Sequence, residues 1–255
     1  MRNIYKITFS IILTLLILQG EGLKAQTTSE QPDWSKLKKN IIRYSLSSAI
    51  FFGVDKTVIL GYEHLLKSNQ SFSINVGSAA LPKFISIGTD SVSFTKDLKN
   101  TGFNFSVDYR FYIPNLNVFK APRGLYFGPY YSLNLWHRNT EWEFKNLQRL
   151  TSSEADISLH MAGIEMGYQF LFWKRMTIDM VFIGPGIGFY KVHAKLETNL
   201  DSEQRDQLQE AFMQAIQQKF PGFNFVFADK QLDGQGVLRT SSYGFRYLVH
   251  LGYNF

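Results

Sequence analysis

The chain has 255 residues, a formal net charge of +6 and no cysteine, and aromatic residues make up 16% of it. The absence of cysteine excludes a disulfide framework, a thiolate metal site and a lipid anchor on cysteine. The 27 Lys and Arg residues are scattered rather than interleaved with stacking aromatics, so we expect no nucleic-acid partner.

The N-terminal segment has the pattern of a secretory signal peptide. Arg2 and Lys6 come first, an apolar stretch runs from Ile7 to Leu18, and Ala25 can end a cleavage site. The stretch is shorter than the roughly 20 residues that a transmembrane helix needs. We therefore predict a signal peptide over residues 1–25 and a polar periplasmic lead-in over 26–39, with a retained membrane anchor as the alternative.

From residue 40 onward, apolar and polar residues alternate in eight stretches, as they do in strands whose two faces meet different surroundings. The predicted strands are residues 40–52, 57–66, 71–80, 101–113, 124–136, 156–172, 177–192 and 241–255. Long connections are expected over 81–100, 137–155 and 193–240. Pro129 and Pro185 fall inside strands, and since proline cannot donate to a strand ladder, we predict a bulge at each. The second bulge would exchange the inward and outward residues after Gly184.

The last long connection contains a predicted amphipathic helix over residues 201–220. Its apolar residues recur at helical spacing, at Leu208, Phe212, Ala215, Ile216 and Phe220. Asp201 and Gln204 have the spacing of a capping box, and Pro221-Gly222 ends the pattern. We expect this helix to pack on the rim of the sheet for its own stability; a lid or a docking surface is the alternative.

The closing strand shows the alternation most clearly. Its apolar positions are Tyr243, Phe245, Tyr247, Val249, Leu251, Tyr253 and Phe255. This aromatic run ending on Phe resembles the closing strand of Gram-negative outer-membrane β-barrels, of the small OmpA or OmpX type without a periplasmic domain. The resemblance implies that Tyr253 and Phe255 belong to the signal read by the barrel-assembly machinery.

Together these patterns predict an all-β fold, an eight-stranded antiparallel up-and-down transmembrane β-barrel over residues 40–255. An even strand number, with short turns on one side and long loops on the other, is typical of bacterial outer-membrane barrels. The alternative is a soluble β-sandwich or lipocalin-like barrel with its apolar faces turned inward. Polar faces rich in Gly, Ser and Asn, with sparse charge, favour the membrane, because a soluble exterior would carry more Lys and Glu.

The predicted inner faces carry most of the strand charges. They are Arg43, Glu63, Asp108, Arg110, Glu165, Asp179 and Arg246, with His250 beside them. Eight strands enclose just enough room for side chains, and buried charges need partners. We expect a paired network that fills the lumen and fixes the strand register. A narrow ion or proton path is the alternative.

No pattern indicates a catalytic, cofactor-binding or metal site. The histidines lack metal-ligand spacing, although His137 and His193 could meet at the outer rim. Ser158 and His160 share an outward face, a weak match to the dyads of lipid-modifying barrels, so an enzyme remains an alternative. We expect a structural or surface-interaction protein of the outer membrane. Its expected partners are outer-membrane lipid and an extracellular protein or glycan bound by the outer loops.

Overall fold

The computed structural model describes residues 38–53, 57–81, 89–117, 119–146, 149–196, 200–219 and 236–255. The predicted signal peptide, the lead-in up to residue 37 and the Pro221-Gly222 pair lie outside these ranges. The described elements are β1 Asn40–Ser45, α1 Leu46–Phe52, β2 Thr57–Lys67, β3 Gln70–Ala79, β4 Val92–Tyr112, β5 Gly124–Phe144, β6 Arg149–Phe172, β7 Met176–Ile183, β8 Pro185–Leu196, α2 Ser202–Lys219, β9 Val237–Phe245 and β10 Leu248–Asn254. Neither of these two helices has the length and apolar character needed to cross a membrane.

Eight of the ten strands close into a ring of antiparallel pairs. Strands β1 to β7 pair in chain order, β7 pairs with β10, and β10 returns to β1. The closing register runs from Ile41 opposite Asn254 to Ser45 opposite His250. Backbone hydrogen bonds between Asn40 and Phe255, in both directions, extend the seam to the last residue. The predicted antiparallel up-and-down order is therefore confirmed.

Two interruptions produce ten strands where eight were predicted. β7 and β8 pair with successive parts of β6, so they are two parts of one predicted strand. β9 and β10, which pair with β8 and β7, are likewise two parts of the closing strand. Gly167 pairs with Val181 and Met166 pairs with Ile183, which leaves Phe182 as an extra residue. This bulge exchanges the inward and outward residues as predicted, but it lies before Gly184 rather than at Pro185.

The bulge predicted at Pro129 is wrong. Pro129 keeps its register opposite Ile164 of β6. On the other edge, the β4–β5 ladder passes from Asp108–Tyr130 to Phe111–Phe127 without a change of register and without pairing Pro129. A locally unpaired position accommodates a residue that has no N–H to donate, so no extra residue is needed.

The first predicted strand ends early. β1 stops at Ser45, and residues Leu46–Phe52 form the helix α1. Leu46 and Ile50 are one helical turn apart, so a short apolar run fits either structure. Helix α1 packs against β10 and β2. Because β1 stops at Ser45, it pairs with β10 and not with β9 among the described residues. β9 pairs with β8 and forms one end of the described strand order.

The ring is apolar outside and polar inside. Exposed large apolar side chains include Ile42, Val58, Leu60, Val76, Phe103, Phe127, Ile164, Leu251 and Phe255. Buried polar side chains include Arg43, Glu63, Ser73, Asn75, Asp108, Arg110, Glu165, Asp179 and His250. This arrangement is the inverse of a soluble β-sandwich, in which the apolar face is turned inward.

Three ring strands, β4, β5 and β6, continue beyond the ring and pair there with one another and with β8, which in turn pairs with β9. The predicted connections are therefore wrong over residues 92–100 and over most of 137–155. β4 begins at Val92, β5 runs to Phe144 and β6 begins at Arg149. We call this part, residues 92–102, 136–144, 149–158, 190–196 and 237–241, the extension. Here Trp142 and Phe144 are buried, whereas Glu141 and Glu143 lie on the opposite face. Apolar and polar residues still alternate in the extension, but charged residues on its outer face give these segments the composition of loops.

Candidate functional site

The interior of the ring holds a cluster of ion pairs. The structure brings together all seven predicted inner residues, and each is at most 8% exposed. They comprise three arginines and four carboxylates, linked by salt bridges around Arg43, Arg110 and Arg246. We call these residues, with His250, the charge network. Its members come from six different strands and the junction between β9 and β10.

Arg43 and Arg110 are the centres of the charge network. Arg43 on β1 donates to Asn75 Oδ1 at 2.9 Å, to Ser73 Oγ at 2.6 Å and to Asp179 Oδ2 at 3.2 Å. Arg110 on β4 donates to Asp108 Oδ2 at 2.7 Å and to Asp179 Oδ2 at 2.8 Å. Each guanidinium therefore crosses the interior to strands that are not its neighbours. Such contacts tie opposite walls of the ring together.

Two carboxylates receive several donors each. Glu63 accepts hydrogen bonds from Ser71 Oγ at 2.6 Å and from the Tyr112 hydroxyl at 3.0 Å. Asp179 also accepts a hydrogen bond from the Tyr126 hydroxyl at 2.7 Å. His250 Nδ1 lies 3.2 Å from Asp179 Oδ2. Full hydrogen bonding is what makes buried charges tolerable.

The pair formed by Arg246 and Glu165 is looser. Arg246 NH1 lies 3.5 Å from Glu165 Oε2, and both Glu165 oxygens lack a hydrogen-bond donor among the described residues. The guanidinium stacks on the Tyr130 ring, with 4.8 Å between its carbon and the ring centroid. This end of the charge network borders a cavity.

A cavity of about 270 Å³, lined by both polar and apolar side chains, lies next to the charge network. Its lining combines Arg246 and His250 of the charge network with Trp136 of the extension, so it lies between the two. Amide and hydroxyl groups contribute most of the rest of the polar lining, from Ser45, Asn75, Asn104, Ser106, Ser132 and Asn134. Two hydrogen-bonded pairs, Asn75 with Ser106 and Asn104 with Asn134, belong to this lining.

A hydrophobic cluster closes the extension. It combines residues of α2 with the inward face of the sheet: Leu81, Val92, Trp136, Trp142, Phe144, Ala155, Ile157, Tyr190, Val192, Ala194, Leu200, Leu208, Ala211, Phe212, Met213 and Leu238. The helix confirms the prediction over 201–220, and Leu208 and Phe212 are buried as its spacing indicates. The side chains of Ala215 and Ile216, and all of Phe220, lie outside the described residues.

The start of α2 is the predicted capping box. The Gln204 backbone N–H donates to Asp201 Oδ1 at 2.8 Å, and the Asp201 N–H donates to Gln204 Oε1 at 3.4 Å. Both bonds satisfy amide groups that a helix start leaves without intrahelical partners. The position of the helix start is therefore fixed by local sequence.

The extension has one strong ion pair on its inner side. Arg138 donates from Nε and NH2 to the two carboxylate oxygens of Asp97, at 2.7 and 2.9 Å. This two-pronged geometry is the strongest that an arginine and a carboxylate can form. Burial lowers the pKa of Arg138, and the charge and hydrogen bonds of Asp97 act against that shift.

The other predicted candidates lie on the outer surface. His160 Nδ1 lies 2.8 Å from the Tyr131 hydroxyl, and Ser158 pairs across the sheet with Leu135 and Lys191. Tyr253 and Phe255 are exposed at the seam, and Arg175 donates to the Tyr253 hydroxyl. His137 and His193 lie on either side of Asp156, in register with it.

Sequence reasoning missed the tyrosines of the interior. Tyr112, Tyr126 and Tyr130 are buried, and their hydroxyl groups donate to Glu63 Oε1, Asp179 Oδ1 and the Gly184 carbonyl oxygen. Alternation along β4 and β5 would have placed these tyrosines on the inward face, since each is next to an exposed or half-exposed apolar residue. Aromatic character alone favoured the outer face and concealed this signal.

Comparisons with known proteins are sparse. No protein-family model matches the chain, and no curated protein matches it. Among solved structures, the chain is similar to a major outer membrane protein from Thermus thermophilus, with 9% identity and a TM-score of 0.37. That alignment covers 85% of this chain and 98% of the other. A likeness this distant does not establish a family.

Proposed function

We propose that this protein is an eight-stranded transmembrane β-barrel of a Gram-negative outer membrane, of the small OmpA or OmpX type. The ring of eight strands would lie in the bilayer, and the extension would project from the outer surface. Its role is structural or one of surface interaction, with outer-membrane lipid around it and an extracellular protein or glycan as the partner of the extension.

The observation that carries this proposal is the apolar outer face of a closed ring. Large apolar side chains are exposed on strands around the ring, while the charges are inside. A soluble monomer rarely exposes an apolar patch of more than a few hundred Å². Closure matters as well, because a strand in hydrocarbon must leave no unpaired edge, and every strand of the ring is paired on both edges. β9, at which the strand order ends, is not part of the ring.

The height of the apolar face suits a bilayer. On β5 it runs from Leu125 to Leu135 and ends at His137. At about 3.3 Å per residue and a tilt of about 45°, the segment from Gly124 to Leu135 rises roughly 25 Å, the height of the apolar band of outer-membrane barrels. Aromatic side chains border its lower end, near the short turn at residues 173–175: Phe172, Trp173, Tyr253 and Phe255.

The interior supports a closed barrel rather than a channel. The charge network crosses the ring, and the hydrophobic cluster with α2 closes the extension above the cavity. An ion would have to separate buried salt bridges and then displace a packed helix. We therefore propose a non-conducting role, and a non-enzymatic one, since His160 is bonded to Tyr131 rather than to a carboxylate.

Membrane insertion is tested by the behaviour of the purified full chain. We expect the protein to require detergent for solubility and to migrate differently on a gel before and after boiling, because a folded barrel is compact and resists detergent. A protein that is soluble without detergent and does not change its migration would contradict the proposal.

Conduction is tested with the same protein in planar lipid bilayers. We expect no stable conductance steps above the background of the empty bilayer. The variant Phe212→Ala, which loosens the α2 closure but leaves the charge network intact, should also remain silent. Stable steps from the unmodified chain would favour the narrow channel instead.

A further inference from the structure

The outer face of the extension carries a row of metal-ligating side chains that the proposed function does not use. His137 on β5 is directly opposite Asp156 on β6, and Asp156 is directly opposite His193 on β8. Directly paired residues of an antiparallel sheet point to the same face, with Cβ atoms about 5 Å apart. Glu154 lies two residues from Asp156 and therefore shares this face.

The geometry points to a site for a divalent transition metal, zinc in particular, formed by His137, Glu154 and Asp156, with His193 opposite Asp156 as the proposed fourth ligand. The ligand atoms of His193 are not part of the close group that the other three residues form. Ligand atoms of His137, Glu154 and Asp156 all lie within 4.8 Å of one another. Two imidazoles and two carboxylates suit zinc, whereas calcium and magnesium prefer oxygen ligands alone.

The distances are close to those that a metal requires. His137 Nδ1 lies 2.9 Å from Asp156 Oδ1 and 3.7 Å from Glu154 Oε1. Two ligand atoms at about 2.0–2.1 Å from a tetrahedral zinc are about 3.3 Å apart. The two distances lie on either side of this value, so shifts of less than about half an ångström would bring both pairs to it.

The charges also converge on this point. Glu154 is directly opposite Lys195, and Ser158 is opposite Lys191, so lysines flank His193 along β8. The described ion pairs of Glu154 and Asp156 are nevertheless both with His137. The two negative charges of Glu154 and Asp156 would balance the two positive charges of a divalent cation.

The surroundings leave room for a ligand. An open groove of about 490 Å³ is lined by His137, Asp156 and His193, with Phe103 and Leu135 also in its lining. A metal held there would sit beside the apolar outer face of the ring. β6 is paired on both edges, with β5 and β8, so the ligands are held in register, which favours a preformed site.

The test is zinc binding by the full chain, purified in detergent and stripped of metal with a chelator. Calorimetry should show one zinc ion per chain, and cobalt(II) should give the visible absorption of a tetrahedral site. His137→Ala and Asp156→Asn should each weaken zinc binding at least about tenfold, because each removes a ligand. No zinc binding, or unchanged binding in both variants, would overturn the site.

Two further comparisons assign the ligands. His193→Ala should also weaken binding at least about tenfold and change the cobalt spectrum; unchanged affinity and spectrum would overturn the four-ligand site. His160→Ala and Glu141→Gln are the matched controls, since both residues lie on the same outer face with partners of their own. They should bind zinc like the parent chain. All variants should retain the gel migration of the parent chain, which separates loss of ligand from loss of fold.

Discussion

The ring and the extension share β4, β5 and β6, whose apolar and polar faces are exchanged between the two regions. On β5 within the ring, Tyr126 and Tyr130 are buried among polar groups and Phe127 is exposed. Farther along the same strand, Trp142 and Phe144 are buried and Glu143 faces outward. One strand therefore meets two kinds of surroundings along its length. The comparison indicates that the medium outside the sheet, rather than the fold itself, determines which face is apolar.

The exchange occurs at nearly the same level on β5 and β8. The outward face of β5 changes from Leu135 to His137, and that of β8 changes from Phe189 to Lys191. Leu135 is opposite Ser158, which is opposite Lys191, so the two changes lie within two residues of each other in register. A shared level is expected if a flat boundary between lipid and water crosses the sheet.

The two regions are also stabilised differently. The interior of the ring depends on buried charges that are satisfied by one another and by neutral donors and acceptors such as Ser73 and Tyr126, and the interior of the extension depends on apolar burial. Removing one partner of a buried ion pair leaves an uncompensated charge, whereas truncating an apolar side chain leaves a cavity. Substitutions in the two regions should therefore destabilise the protein by different mechanisms.

The largest effect is expected at Asp179, which accepts hydrogen bonds from both Arg43 and Arg110. Asp179→Ala should lower the free energy of unfolding by about 3–5 kcal/mol, because two guanidinium groups lose a buried partner. Urea unfolding in lipid vesicles, followed by tryptophan fluorescence, measures this. Glu141→Gln, which removes a partner of the exposed Lys96, should cost under about 1 kcal/mol. Equal costs for the two variants would show that the ring does not depend on its charge network.

Phe212→Ala should destabilise the extension by about 3–5 kcal/mol and leave the ring folded. Phe212 is buried in the hydrophobic cluster, so its loss should release α2 to proteases while the heat-dependent gel shift of the ring remains. Gln214→Ala, on the same helix, should leave protease resistance unchanged. Simultaneous loss of the gel shift would mean that the two regions unfold as one unit.

Charge on the outer face should be tolerated in one region and not in the other. Ile164 is exposed on the ring, and Ile164→Arg should cost about 2–4 kcal/mol if that face meets hydrocarbon. Glu143→Arg, on the outer face of the extension, should change the free energy of unfolding by under about 0.5 kcal/mol. Folding in vesicles tests both variants. A neutral Ile164→Arg would contradict the lipid boundary.

The smallest effect is expected at the capping box. Asp201→Ala removes the acceptor of the Gln204 N–H and should cost about 1 kcal/mol, confined to the first turn of α2. Faster amide hydrogen exchange in that turn, without a change in the ring, is the expected observation. Asp206→Ala, within the same helix, serves as the control. Unchanged exchange in Asp201→Ala would show that packing alone fixes the helix start.

Much of the architecture follows from local pattern. Alternation over residues 57–80 indicated β2 and β3, and the aromatic run up to Phe255 indicated the strand that closes the ring. Spacing also predicted α2 and its cap. These features depend on side chains a few residues apart, which is the range over which a sequence pattern is informative.

The sequence by itself determined that each strand has two unlike faces, and the parity of Arg43, Asp108 and Asp179 within their strands. Only the tertiary structure decided which partners those charges have, because Arg43 reaches Asp179 across the ring. The tertiary structure also decided that β5 continues past Leu135, paired with β6, with its apolar and polar faces exchanged. It further decided that His137, Asp156 and His193 form a row across three strands. The physical reason is that alternation with a period of two separates two faces of a strand but does not indicate which medium each face contacts. In addition, the register between strands depends on residues far apart in the chain.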